Sequence, residues 1–307
     1  SDVCSSDLIW IGSYFGGVDV LLDNSEQFTW LKPGENPQNI SGMVAREMIE
    51  AEPGIFWIAT EDGGLNCYNL KTNTFHVPYN LPDIGTNIHS VYFDEKTSNL
   101  WIGTFRKGLF VYNTKSGASR KFLSANGIDI YSVFDIMEYD ENRILIASVQ
   151  GLFCYDKSLN TFTRFSDDRL GKSFVYCLCS DNDGNLWAGT VYQGLFKIDM
   201  KTKKVTNWSK NNGKINDNYI TSIFNDSNNK LWIGTNNNGL KYIDNPKKSD
   251  KIESVNSEML LAKSTICGIT EDSFGHIWIS TSQGLFQYKR ENNNFNYFST
   301  ENGLPTN

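Results

Sequence analysis

The sequence predicts an all-β fold, a seven-bladed β-propeller of four-stranded blades, and two observations support this prediction. The first is a phrase of the form W-I-G-T, a glycine turn and G-L-x-x-Y, which recurs at steps of 42 to 47 residues. The second is the alternation of apolar and polar residues within each copy, which is typical of strands. The copies begin at Trp10, Trp57, Trp101, Leu145, Trp187, Trp232 and Trp278. A near-constant period in the forties indicates one strand-built unit copied along the chain, as in a propeller.

Each copy contains four short runs that are predicted to be strands, named a, b, c and d here in the order of the repeat. The run before the tryptophan is strand a, for example SVYF, and LWIGT is strand b. Strand c follows a glycine turn, as in GLFVY, and strand d follows a polar turn, as in TFTRF. These runs are rich in β-branched and aromatic residues, and none repeats with the helical period. Because the chain enters at strand b of the first copy, we expect about 27 strands and an incomplete first blade.

The repeats account for nearly the whole chain, so we expect one β-propeller domain over residues 9–307. The first eight residues, SDVCSSDL, fit no position of the repeat and are interpreted as a non-domain remnant over residues 1–8. The final residues, NGLPTN, lead into a further strand a. We therefore interpret the chain as a fragment of a longer protein, whose flanking sequence supplies the missing strand of the first blade.

The charge and the cysteine pattern disfavour several classes of ligand. The net charge is −7 and no Lys/Arg cluster is present, which disfavours nucleic acid binding. The cysteines lack metal-ligand spacing, and the acidic turns before the tryptophans lack the full ligand run of a calcium loop. We therefore expect no metal and no cofactor. Five cysteines are predicted to fill the core, with disulfides left open: Cys67, Cys154, Cys177, Cys179 and Cys267.

The sequence shows no recognisable catalytic constellation. The three histidines, His76, His89 and His276, occupy different positions of the repeat. No nucleophile elbow, P-loop or dinucleotide fingerprint is present. We therefore expect no enzymatic activity in this chain. A carboxylate pair for glycoside hydrolysis stays open, because acidic residues are plentiful and their mutual distances are invisible in a sequence.

The turns between strands b and c are the predicted ligand-binding sites. Their framework repeats from blade to blade while their tips vary, and variable loops on a rigid scaffold commonly carry recognition. Aromatic tips supply a flat apolar surface, and Arg, Gln and Asn supply directional polar groups. The candidate ligand-binding residues are Tyr14, Phe15, Arg106, Lys107, Tyr192, Gln193, Asn237 and Asn238. The alternative for any single tip is that it is merely a solvated turn residue.

Four segments together resemble the two-component regulator propeller repeat. They are NGLPTN at residues 302–307, ITSIFND at 220–226, DNDGNLWAGT at 181–190 and KYID at 241–244. The resemblance covers all seven copies, from about residue 9 to the end. Two copies depart from the pattern, since Leu145 replaces the tryptophan in the fourth and AEPGIFW lacks the Asp-containing turn in the second. These departures affect individual turns and leave the predicted fold unchanged.

The resemblance implies a function that the residues alone do not specify. Repeats of this family form the extracytoplasmic, periplasmic sensor of membrane-bound two-component histidine kinases, many of them hybrid kinases of Bacteroidetes that detect glycan breakdown products. The chain is then expected to be a non-catalytic sensor of an oligosaccharide or another small molecule. The expected partners are the remaining sensor domains, a second propeller and a β-sandwich, within a homodimer of the full protein. A propeller enzyme acting on glycans, a lyase or hydrolase, and a purely structural protein-interaction propeller are the open alternatives.

Overall fold

The computed structural model describes residues 9–13, 17–21, 28–34, 36–76, 78, 80–125, 127–165, 167–255 and 259–304. Over these residues, strands adjacent in sequence pair antiparallel into one three-stranded sheet and six four-stranded sheets, with one further two-stranded hairpin. The predicted fold class, an all-β seven-bladed propeller, is confirmed. In the described part of the chain the first sheet has three strands, as predicted from a sequence that begins at strand b of the first copy.

The chain divides into two compact units, one within residues 1–164 together with 300–306 (unit 1) and one within residues 165–299 (unit 2). The strands of unit 1 are β1 (Ile9–Ser13), β2 (Gly17–Leu21), β3 (Phe28–Leu31), β4 (Ala45–Glu52), β5 (Ile55–Thr60), β6 (Gly64–Asn69), β7 (Thr74–His76), β8 (Ile88–Asp94), β9 (Asn99–Thr104), β10 (Leu109–Asn113), β11 (Ser119–Phe122), β12 (Ser124–Ala125), β13 (Ile128–Asp129), β14 (Val133–Asp140), β15 (Arg143–Ser148), β16 (Gly151–Asp156) and β17 (Thr161–Arg164). A 3₁₀ turn at Thr300–Asn302 also belongs to this unit.

Unit 2 holds the fifth, sixth and seventh blades. Its elements are α1 (Asp168–Gly171), β18 (Val175–Ser180), β19 (Leu186–Thr190), β20 (Leu195–Ile198), β21 (Val205–Trp208), a 3₁₀ turn (Lys210–Asn212), β22 (Ile220–Asn225), β23 (Leu231–Thr235), β24 (Leu240–Ile243), β25 (Glu253–Ser254), α2 (Met259–Lys263), β26 (Ile266–Glu271), β27 (Ile277–Thr281), β28 (Gly284–Lys289) and β29 (Asn294–Phe298). The short helices and the β12–β13 hairpin were not predicted, because they lie in the d–a connections, where the copies differ most. Neither described helix is long and apolar enough to cross a membrane.

The repeated tryptophans pack between neighbouring blades, as a residue of that size at an equivalent position in each copy predicts. Trp101 on β9 lies 5.1 Å from the ring of Tyr155 on β16, and Trp232 on β23 lies 5.5 Å from Tyr288 on β28, measured between centroids. The six indoles are buried at Trp10, Trp57, Trp101, Trp187, Trp232 and Trp278. The indoles of Trp10, Trp57, Trp101, Trp187 and Trp232 thus join their own sheet to an adjacent one within their unit, while Trp278 stacks on Phe298 of its own sheet.

An aspartate turn fixes the indole in each blade of unit 2. In the fifth blade Asp181 Oδ1 accepts the backbone N–H of Asn185 at 2.9 Å, and Oδ2 accepts the indole N–H of Trp187 at 2.9 Å. Asp226 and Asp272 hold Trp232 and Trp278 in the same way, both at 2.8 Å. These carboxylates accept hydrogen bonds from the turn and from the indole, so their role is to cap the turn. Among the described residues no group of three or more His, Cys, Asp or Glu side chains could hold a metal ion.

The third blade shows what happens when this turn is one residue longer. Seven positions separate Asp94 from Trp101, whereas six separate Asp181 from Trp187. Asp94 instead pairs with Lys157 of the next blade at 2.9 Å, and the indole nitrogen of Trp101 has no hydrogen-bond partner in the described part of the chain. The extra residue thus separates the carboxylate from the indole.

The prediction that five cysteines fill the core is wrong for one of them. Cys67 and Cys177 are buried, Cys154 and Cys179 are half-buried, and Cys267 is exposed. No disulfide joins any two of these five cysteines. Cys267 is exposed because it occupies an irregular position near the start of β26, which is described below.

Candidate functional site

The b–c turns and the d–a loops lie together and form the surface called here the loop face of each unit. The backbone N–H of Phe105, in a b–c turn, donates to the carbonyl of Asn87 at 3.0 Å. Gly108 of the same turn donates to the carbonyl of Tyr131, in the next d–a loop, at 3.1 Å. Gly194 in unit 2 makes the equivalent bond to Asn218 at 2.9 Å. Each b–c tip is therefore fixed by backbone bonds to the loops beside it.

The predicted tip residues of unit 1 differ in what they contact. Arg106 is exposed, and its guanidinium carbon lies 5.0 Å from the ring centroid of Phe105. Its backbone has φ of 68°, in the left-handed region, and its N–H donates to Ser132 Oγ at 3.1 Å. Lys107 instead forms an ion pair with Asp83 at 2.6 Å, and this bond lowers the pKa of the Asp83 carboxyl. Of the two cations at this tip, Lys107 is therefore held in an ion pair, whereas Arg106 is exposed at the loop face.

Tyr192 is the most exposed predicted residue of unit 2, with 71% of its surface accessible. Its ring lies 6.5 Å from that of Phe174, which lies 6.1 Å from Tyr176, and Tyr176 lies 5.3 Å from Tyr219. These four rings, Phe174, Tyr176, Tyr192 and Tyr219, form what we call the tyrosine surface. Gln193 is exposed beside it, and its carbonyl accepts from Asn207 Nδ2 at 2.8 Å.

The asparagine tips of the sixth blade are held by the turn itself. Asp217 Oδ2 accepts the backbone N–H of Asn237 at 2.9 Å and the side-chain amide of Asn238 at 3.2 Å. The buried Lys241 donates from Nζ to the carbonyl of Asn238 at 3.0 Å, and burial lowers the pKa of this lysine. The side-chain amide of Asn238 is therefore hydrogen-bonded within the protein. Tyr14 and Phe15, the remaining predicted residues, lie outside the described residues.

A second set of side chains, which the sequence reasoning missed, reaches the loop face from the first strand of each four-stranded blade. All six of these strands carry a β-bulge, for example on β8, where Ile88 pairs with Thr104 and Ser90 pairs with Gly103. The residue skipped by the register shift is Arg46, His89, Phe134, Tyr176, Thr221 or Cys267. Bulges re-aim a side chain and occur often next to functional sites. The sequence signal that could have revealed these residues is that the residue type at this position changes from blade to blade, while the residues on either side stay mostly apolar or small.

Three consecutive bulge residues come together in unit 1. The rings of His89 and Phe134 lie 4.4 Å apart, and Phe105 lies 5.8 Å from His89. Arg46 forms an ion pair with Glu61 at 3.3 Å. We call the group formed by Arg46, His89, Phe105, Arg106 and Phe134 the arginine–aromatic site. It combines two half-buried phenyl rings with two guanidinium groups.

Burial controls the protonation of the groups in and next to this site. Burial, with the nearby charge of Arg46, lowers the pKa of His89 to about 3, so the imidazole is neutral at pH 7. Its Nδ1 is buried and has no hydrogen-bond partner among the described residues. Burial and then repulsion by Asp135 raise the pKa of Glu47 to about 8, while its Oε2 accepts the N–H of Val91 at 2.8 Å. His89 in the site and Glu47 next to it are therefore mostly uncharged at pH 7, and the charge of the site comes from its guanidinium groups.

The architecture defines a β-propeller, and comparison with solved structures agrees. The extracellular domain of a hybrid two component system of B. thetaiotaomicron superposes with a TM-score of 0.75 at 24% identity, covering 91% of this chain and 38% of that one. Virginiamycin B lyase of Staphylococcus aureus superposes with a TM-score of 0.67 at 14% identity, covering 86% of each chain. At these identities the likeness shows the fold.

The repeats carry a narrower resemblance. Residues 169–192 and 214–237 match the model of the two component regulator propeller family, and each match runs from a d–a loop to a b–c tip. Histidine kinase P4 of Formosa agariphila is 23% identical over 230 residues, which is 69% of this chain and 16% of the kinase. The resemblance to the two-component regulator propeller repeat is therefore confirmed. The chain spans a small part of the curated kinase that it matches.

Proposed function

We propose that this chain is a non-catalytic ligand-sensing domain of a two-component histidine kinase, placed in the periplasm and binding an oligosaccharide or another small molecule at the loop face. The matches to regulator propeller repeats, to a histidine kinase and to an extracellular sensor domain support this proposal. In the full protein, further sensor domains and a second copy of the chain would transmit the binding event.

The observation that carries the proposal is the aromatic loop face. A sugar ring presents a flat face of C–H groups edged by hydroxyls, so its binding site needs rigid apolar surface beside directional polar groups. Each unit offers such a surface by itself: in unit 1 the guanidinium of Arg106 stacks on Phe105, and in unit 2 the exposed ring of Tyr192 is held against Phe174, with Gln193 beside it. Backbone bonds between the turns and loops hold these side chains in place before any ligand arrives, which lowers the entropic cost of binding.

One experiment separates the proposal from its two alternatives. The purified chain is titrated with a library of oligosaccharides by calorimetry, and the same mixtures are analysed for new products. Saturable binding without turnover supports the sensor, product formation supports a lyase or hydrolase, and no binding by any member supports a structural propeller.

A matched pair of variants locates the binding surface. Tyr192→Ala is expected to weaken binding about tenfold, the scale of one lost aromatic contact. Phe274→Ala is the control, because Phe274 belongs to the same unit and is 69% exposed but lies in an a–b turn. Equal effects of the two substitutions would contradict a role for the loop face of unit 2.

A further inference from the structure

We propose that the arginine–aromatic site of unit 1 binds a ring-shaped molecule that carries one carboxylate, and that the bulge residues set this selectivity. This inference rests on the proposed function, because it names the ligand class and the part of the loop face that takes it. Two features of the site lead to it, namely its packed rings and its charge.

The rings form a fixed apolar surface between two neighbouring blades. Phe134 lies on the fourth blade, and Phe105 and His89 lie on the third. The phenyl rings are half-buried and meet edge to face, with centroids 6.4 Å apart, while the imidazole contacts both. Half-buried rings that pack on one another keep a defined orientation, so a flat ligand ring can stack without first ordering them.

The charge of the site comes from Arg106. Arg46 is paired with Glu61, whereas Arg106 has no ion-pair partner among the described residues and stacks on Phe105. Arg106 also holds a left-handed backbone, which none of its described equivalents Tyr192 and Asn237 adopts. A non-glycine residue kept in this strained conformation is a feature of binding sites. A guanidinium presented in this way matches a carboxylate in two parallel hydrogen bonds.

The acidic neighbours limit the ligand to a single negative charge. Glu61 lies within the ion pair of Arg46, and Asp135 follows Phe134 on β14. These carboxylates would repel a polyanion, while one carboxylate can sit on Arg106. The residue His89 has only 9% of its surface exposed, and its Nδ1 is buried without a hydrogen-bond partner in the described part of the chain. His89 therefore contributes its ring, packed against both phenyl rings, to the apolar surface of the site.

The test uses two probes that differ in one group, glucuronate and glucose, titrated into the full chain by calorimetry at low and at high salt. We expect glucuronate to bind about tenfold more tightly than glucose, with an affinity that falls as salt rises. Equal affinities, or no glucuronate binding at millimolar concentrations, would overturn the inference.

Three variants assign the selectivity to residues. Arg106→Gln should reduce glucuronate affinity about tenfold and leave glucose unchanged, and Phe134→Ala should weaken both probes. Arg120→Gln is the control, because Arg120 also stacks on a phenyl ring, Phe122 at 4.2 Å, but belongs to an outer strand. Arg106→Gly keeps the left-handed backbone without the charge, so a folded variant that loses glucuronate binding excludes a folding defect.

The outcomes distinguish this inference from the proposed function. If glucuronate binds but depends on Tyr192 and is indifferent to Arg106 and Phe134, the site is wrong while ligand sensing stands. If neither probe binds and an oligosaccharide from the library does, the carboxylate selectivity is wrong and sensing again stands. If nothing in the library binds, the proposed function itself fails.

Discussion

The arginine–aromatic site of unit 1 and the tyrosine surface of unit 2 are built from the same three parts, a b–c tip, a d–a loop and a bulge residue. In unit 1 the b–c tip holds Arg106, the d–a loop holds Ser132, whose Oγ accepts the N–H of Arg106, and the bulges hold His89 and Phe134, so the surface is charged. In unit 2 the three parts hold Tyr192, Tyr219 and Tyr176, so the surface is uncharged and aromatic. The difference shows that the fold of the blade fixes the positions at which side chains are presented. The residue types at the tip and at the bulge then determine the chemistry of the surface.

The two units also differ in how completely their polar groups are satisfied. In unit 2 the bulge residue Thr221 donates from Oγ1 to the carbonyl of Ile266 at 2.6 Å, and every aspartate turn holds an indole. In unit 1 the imidazole of His89 and the indole of Trp101 each have a nitrogen without a partner in the described part of the chain. Sequences violate local rules mainly where function requires it, and of these two groups only the imidazole of His89 lies at the loop face of unit 1.

The largest predicted effect tests the aspartate turns. Asp226 is fully buried, caps its turn, holds Trp232 and pairs with Arg290 at 2.8 Å. Asp226→Ala should lower the free energy of unfolding by about 3 kcal/mol, because it leaves a buried indole N–H and the N–H groups of the turn without their acceptor and removes one of the two carboxylates that pair with Arg290. Asp94→Ala, which removes an ion pair but no indole bond, should cost about half as much. Urea denaturation measures both, and equal losses would refute the difference between the turns.

The second prediction concerns the pH dependence of unit 1. The pKa of Glu47 is about 8 in the folded chain and 4.5 is its ordinary value, so between these values the folded chain holds a proton that the unfolded chain has lost. This contribution to stability is complete below pH 4.5 and disappears as the pH rises to 8, with a slope of up to about 1.4 kcal/mol per pH unit. Glu47→Gln should flatten this slope in denaturation series, and an unchanged slope would contradict the prediction.

The third prediction has the opposite sign. His89 has a pKa of about 3 in the folded chain against an ordinary 6.5, so between these values the unfolded chain binds the extra proton. Stability is therefore lost as the pH falls from 6.5 towards 3. His89→Phe places an apolar ring between Phe105 and Phe134 and removes this loss, so the variant should gain about 1 kcal/mol or more at pH 5 relative to its effect at pH 7. Thermal melts at the two values measure the gain, and a difference of zero would count against a neutral buried imidazole.

The smallest predicted effect tests whether Arg106 holds a conformation that costs stability. Arg106→Gly relieves the left-handed backbone and should raise the free energy of unfolding by up to about 1 kcal/mol. Tyr192→Gly, at the equivalent tip of unit 2, relieves no such strain and should destabilise the chain. Denaturation of both variants under one condition gives the comparison, and a loss of stability for Arg106→Gly would show that the conformation is not strained.

The fold could be predicted because its signals are local. Trp187 and Asp181 lie six residues apart in one turn, and the same pair recurs in later copies, so the pattern is legible without knowledge of pairing. The bulge residues could not be predicted, since a bulge is an offset between two strands, and Arg46 or His89 alone gives no sign of it. Asn237 and Asn238 stay predicted ligand donors, but the sequence cannot show that Asp217, about twenty residues earlier, accepts the backbone N–H of Asn237 and the side-chain amide of Asn238.

The repeated bulge has a consequence for how such a protein can change over time. The ladder skips the bulged residue and continues on both sides of it with the register shifted by one residue. Replacing Arg46, His89 or Phe134 therefore alters no ladder hydrogen bond, while the contacts that keep the blade folded lie elsewhere in the repeat. Mutations at these positions can therefore accumulate one at a time during evolution, without compensating substitutions elsewhere in the blade. A protein engineer who wants a new specificity on this scaffold can begin with the same six positions.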